Sequence, residues 1–512
     1  MKRPAALLSL LLVGCTASTF DTTTIPTVAT ASSTSAATTS TPSPASTSTT
    51  IPTPGPGDPG LGDTMYAGLG NSGYDVDHYA LDLDFDGEQL AGTATLTLRP
   101  TEPLSSFYLD LTGLSVVSVT VDGETAGFET VDELLVRPLL PLPEGRVVAV
   151  VVEYQGVPAS IPNVAGRFRV GWHESVDGWF ALSEPAGAET WFPSNNHPLD
   201  KATLSLRITV PAGLVAVSSG VLRGQEETAG GSTFVWESDD PIAPYLVALA
   251  IGDLERQTST SGEGVPIVNY FDDDVGPADR LIFDRQGEMI DFFAGLFGRY
   301  PFDEYGAVVL ETINVPAALE TQTRATFGTQ ILALGEPVVA HELAHQWFGD
   351  SVSVADWSDV WLNEGFATYA EWMWAGHSRG EAALTGEVER AYRTLSGAAL
   401  VESTGSAVAA YQQALVAYPP PGTPQPTDLF NASVYIRGGL ALHVLRMELG
   451  DERFFAVLQD WATTHRYGNA STDQFLELVE TSGGPAARQL MEQWLFSPAL
   501  PSIDELGLHP PS

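Results

Sequence analysis

Residues 337–348 read PVVAHELAHQWF, and residues 361–367 read WLNEGFA. The first stretch is typical of a helix, on which His341 and His345 lie four residues apart and therefore on the same face. Two imidazoles placed in this way can bind one metal ion, and Glu342 beside them can reach a water molecule on that ion. Taken alone, the pattern also fits a helix that carries two surface histidines.

A carboxylate on the following helix makes the metal interpretation stronger. Glu364 follows His345 with eighteen residues between them, within a second predicted helix at 361–374. Two histidines and one carboxylate form a three-ligand catalytic zinc site, in which the fourth position is open to water. We therefore predict that His341, His345 and Glu364 bind one Zn²⁺ ion and that Glu342 is the general base.

Two polar residues stand just before this second helix. Ser358 or Asp359 can cap its N-terminus by accepting a backbone hydrogen bond. Asp359 has a second candidate role, which is to orient one of the ligand imidazoles. The residue pattern leaves both roles open.

Composition excludes some classes of partner. The chain has 512 residues, enough for two or three domains, and 44% of them are hydrophobic. Against 23 Lys and Arg residues there are 64 Asp and Glu residues, which gives a net charge of -41. A field of this sign repels phosphate backbones, so we expect no nucleic-acid partner.

The N-terminus predicts export and a lipid anchor. Lys2 and Arg3 precede the apolar run 5–13, which is typical of a signal peptide and too short to span a bilayer. The residues around Cys15, the single cysteine of the chain, resemble the bacterial lipobox, in which the cysteine is lipidated. The alternative is an ordinary secretory signal with a chance cysteine.

Changes in residue pattern divide the rest of the chain. Residues 16–62 are rich in Ser, Thr, Ala and Pro, which predicts a disordered tether. Residues 63–255 contain short alternating runs such as His78–Phe85, typical of a β-sandwich-like domain. Residues 256–512 become largely helical and contain the candidate metal site.

The metal motif and its surroundings resemble the gluzincin zinc aminopeptidases, the group that contains aminopeptidase N and leukotriene hydrolase. Tyr74–Tyr79 resembles the opening strand of that family, and Tyr300–Tyr305 resembles the segment that leads into its catalytic domain. The resemblance implies a multidomain β + α/β fold, with a thermolysin-like, mainly helical catalytic domain after the β domain. By comparison with that family we expect a short form that lacks the large C-terminal helical domain of many relatives, and the lipobox-like residues predict that it is a bacterial lipoprotein.

Further site residues are implied by this resemblance alone. Ala317, Ala318, Leu319 and Glu320 occupy the family's exopeptidase motif, in which Glu320 aligns with a residue that binds the substrate's free amine. The resemblance implies a second amine-binding residue at Glu184 and a tyrosine that stabilises the transition state at Tyr435.

The resulting expectation is an aminopeptidase that acts on peptides with a free N-terminus. We expect it on the outer face of the cell membrane, held there only through the lipid on Cys15. An open-cleft zinc endopeptidase and a hydrolase acting on a non-peptide substrate are alternatives. A non-catalytic surface binding protein on a peptidase scaffold is a third.

Overall fold

The computed structural model describes residues 53–166, 168–228, 230–312 and 317–511. Cys15, the predicted signal peptide and most of the predicted tether lie outside the described residues. Within these ranges, every helix is too short or too polar to span a lipid bilayer.

The N-terminal part of the described chain consists mainly of strands. In chain order they are β1 (Gly55–Pro56), β2 (Tyr74–Phe85), β3 (Leu90–Pro100), β4 (Leu104–Leu109), β5 (Ser115–Val121), β6 (Glu124–Thr125), β7 (Gly127–Val131), β8 (Glu133–Arg137), β9 (Val148–Gly156), β10 (Ile161–Pro162), β11 (Arg169–Glu174), β12 (Trp179–Leu182), β13 (Ala202–Val210), β14 (Val215–Ser218), β15 (Val221–Thr228), β16 (Gly231–Ile242) and β17 (Leu249–Gly252). They form an eight-stranded sheet in the order β15-β16-β13-β2-β3-β9-β5-β6, a four-stranded sheet β1-β4-β8-β7 and a five-stranded sheet β10-β11-β12-β17-β14.

Alternation along the strands places one face of each in the core. On β2, Leu81, Leu83 and Phe85 are buried, whereas Asp82 and Asp84 between them are exposed. This arrangement follows from the two-residue period of a strand, which sends successive side chains to opposite faces. The sequence pattern of this region therefore sets which face of the sheet packs inward.

The C-terminal part contains a smaller sheet and the helices. Its strands are β18 (Leu254–Thr260), β19 (Pro266–Asp272), β20 (Ala307–Leu310), β21 (Ala318–Leu319), β22 (Ala325–Gly328), β23 (Ser353–Val354) and β24 (Asn469–Ala470). Its helices are α1 (Pro277–Arg280), α2 (Gln286–Phe297), α3 (Glu336–Ala344), α4 (Trp361–Arg379), α5 (Glu381–Leu395), α6 (Val401–Thr404), α7 (Ala407–Ala417), α8 (Ala432–Leu449), α9 (Asp451–Thr464) and α10 (Thr472–Phe496), the last kinked at Gly484. The predicted fold class, a β domain followed by a mainly helical domain, is confirmed.

The helical domain consists of a mixed sheet and a layer of helices. Its five strands lie in the order β18-β19-β20-β22-β21, with β19, β20 and β22 parallel and the short edge strand β21 antiparallel to β22. Helix α4 packs against α3, α5 and α8, so it lies at the centre of the helical layer. The candidate metal ligands fall on this central helix and on α3.

Helix α3 begins at the predicted place, next to Pro337, but ends at Ala344 and not at the predicted Phe348, because residues 345–347 form turns. Gly335 precedes it with φ 76°, a conformation that glycine adopts without strain, and Pro337 lies in its first turn. Regular α3 ends at Ala344, and His345 keeps helical backbone angles. The two histidines therefore stay on one face although His345 closes the helix.

Two predicted boundaries are wrong. Gly55–Pro56 forms β1 and pairs with β4, so the predicted tether to residue 62 extends too far. Composition did not reveal this, because the pairing uses backbone groups rather than side chains. The predicted domain boundary at 255/256 falls inside β18, which pairs along its length with β19 of the helical domain's sheet.

Candidate active site

Helices α3 and α4 bring the three predicted metal ligands together. One ligand atom each of His341, His345 and Glu364 lies within 4.8 Å of the others. The carboxylate Oε2 of Glu364 is 3.2 Å from Nε2 of His341 and 3.5 Å from Nε2 of His345. The imidazoles come from α3 and its end, and the carboxylate comes from the first turn of α4.

The outer nitrogens of both imidazoles have their own partners. Nδ1 of His341 lies 2.6 Å from Oε1 of Glu371, and Nδ1 of His345 lies 3.0 Å from the carbonyl oxygen of Phe348. With each Nδ1–H donating outward, each Nε2 lone pair faces Glu364. Two imidazole nitrogens and a carboxylate oxygen, oriented in this way, fit one zinc ion with an open fourth position.

The prediction that Asp359 orients a ligand imidazole is wrong. Its Oδ1 accepts a hydrogen bond from the backbone N–H of Thr472, at the start of α10. Asp359 ends a short 3₁₀ turn before α4, whose N-cap is Val360 and has no side-chain cap. The residue that orients the His341 imidazole is Glu371. Glu371 follows Glu364 by seven residues, or about two helical turns, and this spacing could have indicated from the sequence that both lie on the same face of α4.

Charge balance in the ligand cluster favours a cation. Burial by itself raises the pKa of Glu364, but His345 and His341 outweigh it and lower that pKa to about 2. Burial likewise lowers the pKa of His345, and Glu320 and Glu364 outweigh it and raise that pKa to about 9. The carboxylates therefore stabilise positive charge at this point, which a metal ion can supply.

Glu342 lies where a general base is needed. One carboxylate oxygen each of Glu342 and Glu320 and one ring nitrogen of His345 lie within 4.8 Å of one another. Burial raises the pKa of Glu342 to about 8, against the lowering effect of His341 and His345. A carboxylate with a raised pKa can accept a proton and release it again near neutral pH.

The predicted amine-binding residues come from the two domains. Glu184 follows β12 of the β domain, and Glu320 follows β21 of the helical domain. In each carboxylate, Oε1 is buried without a hydrogen-bond partner among the residues that the structure describes. Burial raises the pKa of Glu184 well above its usual range, and Glu320 is the next cause, so the two carboxylates repel each other. A cation between them would relieve this repulsion.

The backbone before Glu320 forms an edge strand. Ala318 and Leu319 make up β21, and Ala317 before it accepts a hydrogen bond from Gly328. The carbonyl of Glu320 accepts a hydrogen bond of 3.1 Å from Nε2 of Gln346, just beyond the end of α3. This contact fixes the end of the edge strand relative to the metal-ligand helix.

Tyr435 lies on α8 and faces the metal ligands. Its ring stacks on the His341 ring, with centroids 6.0 Å apart and planes 22° apart, and it is partly exposed. Burial, followed by Glu364 and the other nearby carboxylates, raises its pKa well above the usual range. The hydroxyl is therefore a proton donor at neutral pH.

Two glycines set the distance between α4 and α8. A Cβ atom added to Gly365 would lie 2.9 Å from the backbone of Gly438, and one added to Gly438 would lie 2.8 Å from Cα of Gly365. Gly365 directly follows Glu364, and Gly438 lies about one turn beyond Tyr435. Backbone contact between the helices thus fixes the ligand carboxylate relative to the tyrosine.

The fold and the His-His-Glu site with its adjacent glutamate define a zinc metallopeptidase. Residues 282–494 match the Peptidase family M1 domain. The M1 zinc metallopeptidase of Deinococcus radiodurans is similar at 32% identity and a TM-score of 0.78, covering 88% of this chain and 100% of that chain, in a mutant bound to a Tyr-Ser-Ala substrate. A two-domain M1 zinc metallopeptidase mutant bound to L-tryptophan matches with the same identity and TM-score, covering 87% and 99%. The chain belongs to peptidase family M1.

Curated relatives are longer proteins. Aminopeptidase N of Streptomyces lividans is 26% identical over 458 residues, which are 82% of this chain and 50% of the relative. Glutamyl aminopeptidase of Sus scrofa is 23% identical over 466 residues, which are 83% of this chain and 48% of the relative. The chain thus spans about half the length of these relatives.

Proposed function

We propose that this protein is a zinc-dependent aminopeptidase that removes N-terminal residues from peptides. The observation that carries the proposal is the pair Glu184 and Glu320: each has a buried oxygen without a hydrogen-bond partner among the described residues, and Glu320 lies beside Glu342 and His345. A peptide's α-amine has a pKa of about 8 and is mostly cationic at neutral pH. Two carboxylates that repel each other select this cation and position the first residue of the peptide.

The remaining residues supply the groups that hydrolysis requires. A zinc ion held by His341, His345 and Glu364 would supply a Lewis acid that polarises the scissile carbonyl. Glu342 accepts the proton of the attacking water and passes it to the leaving amine. The Tyr435 hydroxyl donates a hydrogen bond to the oxygen on which negative charge develops.

The edge strand β21 supports binding of an extended peptide. Among the strands that the structure describes, β21 pairs with β22 alone, and its other side could pair with a substrate backbone. The strand leads directly into Glu320. A substrate paired with it would place its first residue close to the amine-binding carboxylate.

We also propose that the protein acts outside the cytoplasm, on the outer face of the membrane. Support comes from the sequence: the basic start, the apolar run at 5–13 and the lipobox-like residues before Cys15. The residues from 16 to β1 would then be the tether. Mass spectrometry of the mature N-terminus tests this, and an unmodified Cys15 on the exported protein would refute the anchor.

Hydrolysis by the purified full chain tests the activity. Aminoacyl amides with a free amine are compared with their N-acetylated forms, for the wild type, for Glu342→Gln and for a chelated sample. Glu389→Gln is the matched control, because the side chain of Glu389 is 40% exposed and its ion-pair partner among the described residues is Arg393, also on α5. We expect cleavage of free-amine substrates alone, lost in Glu342→Gln and on chelation and kept in the control.

The alternatives give different results. Equal cleavage of acetylated and free substrates would indicate an endopeptidase. Bound zinc without turnover of any peptide would indicate another substrate class. A folded protein that takes up no zinc would support a binding role and refute the enzyme.

A further inference from the structure

The residue that follows the metal ligand His345 contacts the backbone around Glu320. Gln346 is fully buried, and its own backbone is fixed just beyond α3. Its N–H donates to the carbonyl of Leu343 at 3.1 Å, and its carbonyl accepts from the N–H of Ser351 at 3.2 Å. The Gln346 side chain therefore starts from a fixed point next to a metal ligand.

The Gln346 side chain makes hydrogen bonds with both its nitrogen and its oxygen. Its Nε2 donates to the carbonyl of Glu320 at 3.1 Å, and its Oε1 accepts from the backbone N–H of Thr323 at 2.7 Å. The hydroxyl of Tyr300 lies 3.4 Å from the same Oε1. Donors beside Oε1 and an acceptor beside Nε2 fix the orientation of the amide.

The backbone beyond β21 forms a tight turn, and we call residues 320–324 the anchor turn. Within it, the N–H of Arg324 donates to the carbonyl of Thr321 at 3.0 Å, and Thr323 has φ 65°. A positive φ is unfavourable for a β-branched residue, so surrounding contacts must hold the turn in this conformation. The hydrogen bond from the Thr323 N–H to Gln346 is one of these contacts.

The β domain also contacts the anchor turn. The backbone N–H of Gly220 donates to Oγ1 of Thr323 at 2.7 Å, and the backbone N–H of Gln322 donates to the carbonyl of Leu246 at 3.0 Å. The turn therefore has hydrogen bonds to both domains. The bonds from Gln346 join it to the end of the metal-ligand helix α3.

The Glu320 carboxylate requires a restraint because it lies close to another carboxylate. One oxygen of Glu320, one oxygen of Glu342 and one ring nitrogen of His345 lie within 4.8 Å of one another. Two ionised carboxylates at such a distance repel each other. Without the hydrogen bonds of Gln346, the anchor turn can relax, and the Glu320 carboxylate can move away from the metal ligands.

We propose that Gln346 is a positioning residue that sets the distance between the Glu320 carboxylate and the metal ligands. This inference rests on the proposed aminopeptidase function and deepens it. The distance decides whether the amine of a substrate reaches Glu320 while its first carbonyl lies at the metal. Gln346 acts through the backbone of the anchor turn and does not itself bind the substrate.

Two substrates isolate the contribution of the amine. One is an aminoacyl amide with a free amine, and the other is its des-amino form, in which hydrogen replaces the amine. The ratio of their kcat/KM values, free over des-amino, measures how well the amine is recognised. Zinc affinity, measured by competition with a chromophoric chelator, reports separately on the metal ligands.

The test compares the full-length wild type with Gln346→Met, which has a similar volume and forms neither hydrogen bond. We expect the free-to-des-amino ratio to fall about 10- to 100-fold, mainly through a higher KM for the free-amine substrate, because misplacing a group by about 1 Å has a cost of this size. The des-amino kcat/KM and the zinc dissociation constant should change less than about threefold. If Gln346→Met loses its near-UV circular dichroism, Gln346→Asn takes its place, since its shorter amide cannot reach both partners.

A matched control separates this role from the general loss of a buried amide. Gln286 on α2 is also buried, and its Oε1 accepts a hydrogen bond of 2.7 Å from Nδ2 of Asn269 on β19. Gln286→Met deletes the same atoms and should leave the free-to-des-amino ratio unchanged.

The outcomes are distinguishable. A folded, zinc-loaded Gln346→Met with the wild-type ratio overturns the positioning role and leaves the proposed aminopeptidase intact. An equal fall of the ratio in Gln286→Met, or a zinc affinity in Gln346→Met that falls as far as the ratio, also overturns it, because the effect would then be structural. A wild type that hydrolyses both substrates equally, or neither, overturns the proposed function and this inference with it.

Discussion

Removing the hydrogen bond between Glu371 and His341 should weaken zinc binding without removing a ligand. The bond joins Oε1 of Glu371 to Nδ1 of His341 at 2.6 Å. In Glu371→Leu the ring loses the acceptor that sets its tautomer and orientation, so Nε2 is no longer held toward Glu364. Loss of such a partner weakens metal affinity about 10- to 100-fold.

The partial exposure of Glu371 and His341 narrows the expected range of lost zinc affinity. The side chain of Glu371 is 26% exposed and that of His341 is 11% exposed, so water can replace part of the lost bond. We therefore expect the lower part of the range, about 10- to 30-fold, which corresponds to about 1.4 to 2 kcal/mol. His345 should keep its orientation, because its partner is the carbonyl of Phe348 and no side-chain substitution removes it.

Competition with a chromophoric chelator measures the zinc dissociation constant directly, independent of turnover. Glu371→Gln is the informative intermediate, since its amide oxygen can still accept the hydrogen bond without the charge, and its affinity should fall between wild type and Glu371→Leu. Glu389→Gln should bind zinc as the wild type does. Wild-type zinc affinity in a folded Glu371→Leu would refute the reasoning.

Three further predictions concern Tyr435, Glu320 and Asp63. Tyr435→Phe should lower kcat about 10²- to 10³-fold with unchanged zinc affinity, because a donor to the developing oxyanion is lost, and steady-state kinetics with an unaltered kcat would contradict this. Glu320→Gln should raise KM for free-amine substrates and leave KM nearly unchanged for des-amino substrates, in which hydrogen replaces the amine. An equal rise in KM for both would show that Glu320 does not bind the amine. For Asp63, burial raises the pKa, but His197 and the backbone donors outweigh it, so the folded pKa lies below the usual 3.8. The stabilisation from the ionised carboxylate is then fully present above about pH 4 and is lost as the pH falls through the folded pKa. Melting temperatures of wild type and Asp63→Asn should therefore differ at pH 7 and converge in acid, and a constant difference down to pH values of about 2 would exclude this linkage.

Local spacing predicted the metal ligands, whereas long-range packing decided their surroundings. The pair His341 and His345 follows from helical periodicity, and Glu364 follows from its place on the next predicted helix, with eighteen residues between it and His345. The contact between the Asp63 carboxylate and the backbone N–H of Trp357 could not be predicted in this way, because the two residues are 294 positions apart in the chain. Asp359 illustrates the same limit: its partner is set by the position of α10, which no local pattern specifies.

The part of the predicted tether that forms β1 shows a second limit of prediction from sequence. A stretch rich in Gly and Pro lacks side chains to bury, so composition predicts disorder. Gly55 and Gly57 nevertheless donate backbone hydrogen bonds of 3.0 and 2.9 Å to the β4 region. This backbone pairing requires that one edge of β4 is available, and the availability of that edge is decided only when the sheet has assembled.

The glycine contact between α4 and α8 separates two kinds of motion. Because Gly365 touches Gly438, the spacing between Glu364 and Tyr435 is set inside the helical domain. Glu184 belongs to the β domain, so a relative motion of the two domains would change how a substrate amine is held and would leave this spacing unchanged. Temperatures or solvents that weaken the contacts between the two domains should therefore alter the selectivity for free-amine substrates before they alter the rate of the chemical step.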